Sequence, residues 1–147
     1  MRCVDKYILL VITAILAGGC SVRHADEAMR DMPHPDKGQV WQLVEMRGRE
    51  VKGGTTVTLT LNPETGVLHG RAQCNDYYAD FAMLPRGGRY ALGLSNMGCG
   101  ETSCPDADMN AEARYLSLLG RADAMTMDEY TMILYCKGKE ILKYELQ

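Results

Sequence analysis

From Val40 onward apolar residues recur at every second position, and a period of two confines a chain to strands with one buried face. The clearest window is Thr56 to Leu61 (TVTLTL), with Val57, Leu59 and Leu61 on one face and threonines on the other. Asn62-Pro63-Glu64-Thr65-Gly66 follows as a turn. The next run sets Leu68, Gly70, Ala72 and Cys74 on one face, with His69, Arg71 and Gln73 pointing away, so an antiparallel partner strand is expected. Tyr77 to Leu84 and Arg89 to Met97 flank Pro85-Arg86-Gly87-Gly88. Tyr130 to Cys136 and Glu140 to Leu146 flank Lys137-Gly138-Lys139. These give two further strand pairs.

One window breaks the alternation. Pro105-Asp106 opens a helical pattern in which Met109, Ala113, Leu116 and Leu119 form the expected buried stripe, acidic residues start the helix and Gly120 ends it. The expected fold class is therefore mostly β with one helix (α+β). Its form is a small antiparallel β-barrel-like curved sheet with a single α-helix around residues 106–119.

The first residues follow a different logic. Arg2 and Lys6 flank Asp5, Tyr7 to Ala17 (YILLVITAILA) is apolar, and Gly18-Gly19 closes the run, which is the layout of a secretory signal peptide over residues 1–19. A membrane-spanning helix needs about 20 apolar residues, more than this run supplies. Leu16-Ala17-Gly18-Gly19-Cys20 resembles a bacterial lipobox, which implies lipidation of Cys20 by acyl chains such as palmitate. The protein is then expected in the cell envelope, bound to a membrane through its N-terminal lipid. Ser21 rather than Asp after Cys20 points to the outer membrane. Residues 20–37, polar and holding Pro33 and Pro35, read as the lipidated cysteine and a flexible tether, and 38–147 as one domain.

Removing residues 1–19 takes away Arg2, Lys6 and Asp5 and leaves 14 basic against 18 acidic residues, net −4. A weakly acidic chain without a basic face argues against nucleic acid as a partner. Hydrophobic residues at 46% are enough to bury a core.

No zinc-protease histidine pair, nucleophile-elbow serine or phosphate-cradling glycine loop occurs. His69, the one histidine of residues 38–147, points away from Cys74, so covalent catalysis has no base. Asp106 to Asn110 imitates half of a calcium loop, yet Ala111 and Ser117 stand where that loop needs Gly and Glu. His24 and His34 read as solvated tether residues. No metal and no cofactor is expected. Met97, Met109, Met125, Met127 and Met132 read as core packing before an adaptable groove. Eight tyrosines against one phenylalanine carry hydroxyls that need partners when buried. Cys74, Cys99, Cys104 and Cys136 remain after export, an even number that favours two disulfides, and three pairings are open.

Several of these blocks together resemble a known family. Trp41-Gln42-Leu43, then Gly70-Arg71-Ala72-Gln73-Cys74-Asn75-Asp76-Tyr77-Tyr78, then Ser103-Cys104-Pro105-Asp106 with Met109, Glu112, Tyr115-Leu116 and Leu119, and finally Leu142-Lys143-Tyr144 resemble the META domain of HslJ-like proteins. The resemblance spans residues 38–147. It implies a small barrel-like domain with one helix, often on envelope lipoproteins and linked to heat-shock or antibiotic stress. It marks Trp41, Cys74, Asn75, Tyr77, Cys104, Pro105, Asp106 and Glu112 as family-motif residues. Within it, Cys74 and Cys104 belong to the two family cysteine blocks and Cys99 and Cys136 are additional, so the expected pairs are Cys74–Cys104 and Cys99–Cys136. Cys99–Cys104 is the rival pairing, a short and labile loop.

The functional expectation is a non-catalytic envelope lipoprotein that binds another envelope protein or serves stress tolerance. The alternative is a barrel that holds an apolar small ligand or lipid, and an enzyme ranks last.

Overall fold

The structure is a computed structural model that describes residues 32–52 and 55–147. The signal segment, Cys20, His24 and most of the tether lie outside the described residues.

Among the described residues nine strands and one helix follow in chain order: β1 (Trp41–Met46), β2 (Arg49–Glu50), β3 (Thr58–Asn62), β4 (Val67–Arg71), β5 (Asp76–Arg86), β6 (Arg89–Cys99), α1 (Asp106–Leu119), β7 (Ala124–Met127), β8 (Thr131–Cys136) and β9 (Lys139–Leu146). Every strand pairing is antiparallel. β1 pairs with β9 along its length, from Trp41↔Leu146 to Met46↔Leu142, and that pairing closes an eight-stranded barrel. The other edge of β1 is shared: its start pairs with β3 and its end with β2. Closure leaves the first and last strands no free edge to offer a second chain.

Three of the hairpins share one local cause. Arg47-Gly48, Gly87-Gly88 and Lys137-Gly138 each join flanking partners, and both central residues of each turn have positive φ, from 51° to 77°. That is the type I′ requirement, whose twist matches the twist of the strands, and glycine meets it without steric cost. The turn expected over Pro85 to Gly88 therefore shrinks to two residues, and Pro85 lies in the ladder opposite Tyr90.

The inward positions are the alternating ones. Trp41, Leu59, Leu68, Met125, Met132, Leu134, Leu142 and Tyr144 are essentially inaccessible to solvent. Truncating one of the leucines to alanine would cost about 2–5 kcal/mol through lost transfer energy and the cavity left behind. Of the five methionines expected inside, Met125 and Met132 are core residues, Met97 and Met127 are half-buried, and Met109 is exposed.

Helix α1 begins and ends where its signals stand, after Pro105 and at Gly120. Its buried face differs from the expected stripe. Glu112, Tyr115, Leu118 and Leu119 are buried, whereas Met109 and Ala113 are exposed. The apolar pattern misplaces the face because Glu112 and Tyr115 find hydrogen-bond partners inside the fold, which makes burial of their polar atoms tolerable.

The start of the folded part also moves. Pro35 is buried, the His34 Nδ1 lies 2.8 Å from the Tyr90 hydroxyl, and Lys37 meets Glu64 at 2.6 Å. Residues 34 to 37, expected as tether, thus pack on the barrel, and His34 is a docked residue.

Candidate functional site

The family-motif residues meet where β4 hands over to β5 beside the start of α1. After Arg71 the chain leaves the ladder, Gln73 takes a positive φ of 78°, and Ala72 N–H donates to the Asn75 carbonyl at 2.8 Å. This tight turn aims the backbone N–H groups of Cys74 and Asn75 at the helix. Glu112 receives both on one carboxylate oxygen, at 3.1 and 2.6 Å, and its other oxygen accepts from the Asn75 side-chain amide at 2.9 Å. An acceptor-only carboxylate matches three donors, and such charge-assisted bonds are the strong ones. Glu112 is only 5% exposed, so few of its acceptor sites are left for a substrate.

Asn75 is used equally fully. Its Oδ1 accepts from the Thr102 N–H at 2.8 Å, and its Nδ2 reaches the Thr102 carbonyl at 3.2 Å. The side chain thereby pairs with Thr102 as a neighbouring strand would. Gly100 N–H donates to the Asp76 carbonyl at 2.9 Å, so the segment after β6 runs zipped along the start of β5. Cys104 closes the zip with a disulfide to Cys74, Cα to Cα 6.1 Å. Asp108 adds a bond from the Gln73 amide at 3.2 Å, and Asp106 lies in the first helical turn.

A second network lies deeper. Tyr77 on β5, Tyr115 on α1 and Tyr144 on β9 are buried and joined through their hydroxyls at 2.6 and 3.0 Å. Tyr77 donates to the Thr58 carbonyl at 2.8 Å. Since a carbonyl only accepts and each phenol has one proton, the bonds must run Tyr144 to Tyr115 to Tyr77 to Thr58. Burial pushes all three phenols far above the ordinary tyrosine range. The approach of Thr58 to this cluster explains Gly70: a Cβ there would stand 2.0 Å from the Thr58 carbonyl oxygen.

Trp41 is buried in the core, and its indole N–H has no hydrogen-bond partner among the described residues. Among the described residues no group of three or more His, Cys, Asp or Glu side chains is placed to hold a metal ion. An open groove of about 490 Å3 runs beside β1, lined mainly by polar groups including Gln42, Glu45, Glu50, Lys52 and Glu145. Hydrogen bonding to Glu45 and the charge of that carboxylate raise the pKa of the Lys143 ammonium.

The expected Cys99–Cys136 disulfide is not formed; both are free cysteines, Cys99 exposed and Cys136 half-buried. The register explains why. Cys136 follows Tyr135, which pairs with Ala124, which pairs with Ala91 near the start of β6, while Cys99 ends that strand. At about 3.3 Å per residue the two lie roughly 25 Å apart, against the ~4.4–6.8 Å between Cα atoms that a disulfide spans.

Tyr115, Tyr144, Thr102 and Gly70 were not marked as one unit by the sequence. Only the spacing of Glu112 and Tyr115, one helical turn apart, hinted that a polar pair shares the inner face.

Among solved structures, the chain is similar to a protein from Burkholderia xenovorans determined by NMR, with a TM-score of 0.59 and 23% identity over 78% of this chain and 91% of that one. A second NMR structure aligns with a TM-score of 0.53 at 16% identity, over 74% of this chain and 88% of the other. At such identities the likeness concerns the fold. No curated protein matches the chain in sequence. The META domain family matches residues 35–147, more than half of the chain and the whole of the barrel just described, and the chain therefore belongs to the META domain family.

Proposed function

We propose that this chain is a cell-envelope lipoprotein whose META barrel binds another envelope protein and carries no catalytic centre. The observation that carries the reading is the full use of the motif residues in holding the fold: Glu112 and Asn75 spend their polar atoms on backbone partners and on each other, and Cys74 and Cys104 are bonded to each other. Groups so engaged have little left to offer a reacting atom. Large side chains occupy the barrel interior, which is why an internal apolar guest is not carried forward. Recognition then falls to the outer surface, where Leu84 and Tyr78 on β5 are 70% and 57% exposed. Tyrosine is among the residues that protein partners most often use as buried anchors. A role in stress tolerance would follow from the partner engaged.

Three measurements test the reading. Cys20→Ala should release the protein from membranes, and a mature N-terminus at any other residue removes the lipoprotein assignment. A photo-crosslinker at Leu84 in the native envelope should capture one defined protein, and the same capture should fail for a probe at buried Leu134. Turnover by the folded protein that Glu112→Gln abolishes without unfolding would overturn the non-catalytic reading.

A further inference from the structure

Three of the four cysteines in the described part lie along one zipped seam. The segment 99 to 104 runs against 77 to 74: Cys99 pairs with Tyr77, Gly100 bonds Asp76, Thr102 bonds Asn75 and Cys104 is joined to Cys74. Cys99 and Tyr77 stand directly opposite, and residues so paired present their side chains on the same face. Tyr77 points inward, so the Cys99 thiol lies on the inner side of the seam, the side on which the buried Cys74 sits. Cys99 is exposed because the barrel ends there. The two residues of the disulfide differ in exposure: Cys104 is half-exposed and Cys74 only 5% exposed.

We propose that the Cys74–Cys104 disulfide is an exchangeable strap and that Cys99 is the thiol that exchanges with it. The Cys99 thiolate attacks the Sγ of Cys104. A Cys99–Cys104 bond forms, the Cys74–Cys104 bond breaks, and Cys74 leaves as a thiolate that takes up from solvent the proton Cys99 gave away. The number of thiols and disulfides is unchanged, so no oxidant or reductant is consumed. Attack falls on Cys104 because it is the more exposed residue of the pair, and exchange rate depends on access to the attacked sulfur and on the leaving thiol. The Asn75 Nδ2 lies 3.4 Å from the Cys74 Sγ, and release of its bond to the Thr102 carbonyl as the loop opens frees an N–H for the leaving sulfur.

The native geometry gates the step. Three residues of chain, at most about 10 Å, separate Tyr77 from Cys74, so the loop must fold back before the sulfurs meet. Residues 100 to 103 are exposed, and bonds to Asp76 and Asn75 hold them down. Loosening those bonds opens the loop without disturbing the barrel core. The bonds to Asp76 and Asn75 hold the loop so that Cys104 meets Cys74 and not Cys99, which makes the strap to Cys74 the resting state, and the exchanged form closes a loop of five residues in place of thirty. Exchange removes the covalent tie between the start of α1 and the β4–β5 turn and leaves the Asp108 and Glu112 hydrogen bonds to that turn.

The experiment uses the full chain in detergent. In a reduced-glutathione buffer, loss of the Cys74–Cys104 bond is followed by acid quenching and peptide mapping for the protein and for Cys99→Ser. The unsubstituted protein should lose the strap several-fold faster, because Cys99 attacks from within. Equal rates would overturn the proposal. Independently, Cys74→Ser is treated with glutathione disulfide as oxidant, which takes the two thiol protons and electrons as it becomes two reduced glutathiones. A peptide linking Cys99 to Cys104 is expected. Glutathione attached separately at both cysteines, with no linked peptide, would sink it.

Discussion

Glu112 shows how much one side chain can decide in a small fold. Its carboxylate satisfies two backbone donors and the Asn75 amide in a place almost closed to water. Glu112→Gln keeps the shape but turns one acceptor into an NH2 group facing donors. Denaturant melts should report a loss of about 2–3 kcal/mol, the range for bonds to a charged group with one donor left unpaired. Gly70 makes the same point through space instead of charge. With 2.0 Å between a Cβ and the Thr58 carbonyl oxygen, Gly70→Ala forces β3 and β4 apart, and a destabilisation of at least ~2 kcal/mol is expected in the same assay. Cys74 and Asn75 were legible as motif residues. The function of Glu112 within that motif was not, because its partners lie 37 and 38 residues earlier in the chain and no local period reports such a distance.

Among elements, the hairpins were the most legible and the short strands the least. Gly87-Gly88 and Lys137-Gly138 announce their turns through residues that tolerate positive φ, and the structure trims only the ends. β2 has two residues and β7 four, too few for alternation to show. For α1 the ends were readable and the face was not. The strap at its start is an element-scale constraint as well. Closing a loop of 30 residues, it should be worth about 3–4 kcal/mol on the chain-entropy estimate before strain. Cys104→Ser should lower the melting temperature accordingly, while far-ultraviolet circular dichroism keeps its β signature. A strap whose loss leaves the melting temperature unchanged would show that Glu112 and Asn75 hold the turn alone.

The tyrosine network ties strand β5, helix α1 and strand β9 together and sets how the whole molecule responds to alkali. Desolvation raises the pKa of Tyr77, Tyr115 and Tyr144 above the unfolded value near 10. The folded state therefore holds three protons that the unfolded chain gives up above that pH. Their contribution is fully present below pH ~10 and is lost as pH rises beyond it, at up to about 4 kcal/mol per pH unit for three groups together. Phenolate absorbance in a pH titration should show these three tyrosines ionising only as the barrel unfolds. Tyr115→Phe, which removes the middle hydroxyl, should make the alkaline loss of stability shallower. Ionisation of all the tyrosines while circular dichroism remains native would contradict the network.

By itself the sequence determined the class of the molecule. Alternation demands a one-sided sheet, glycines at positive-φ turns place its hairpins, and one interruption with period 3.6 inserts a single helix; each is a local property that neighbouring residues carry. Tertiary structure decided what depends on distance across the fold. It closed β1 on β9, turned the helix so that Glu112 and Tyr115 face inward, brought Cys104 to Cys74, and set Cys136 at the end of β8, level with the start of β6, while Cys99 stands at the end of β6. The physical reason is the register of the ladders. It is a sum over every pairing between two residues, so no single stretch of chain contains it.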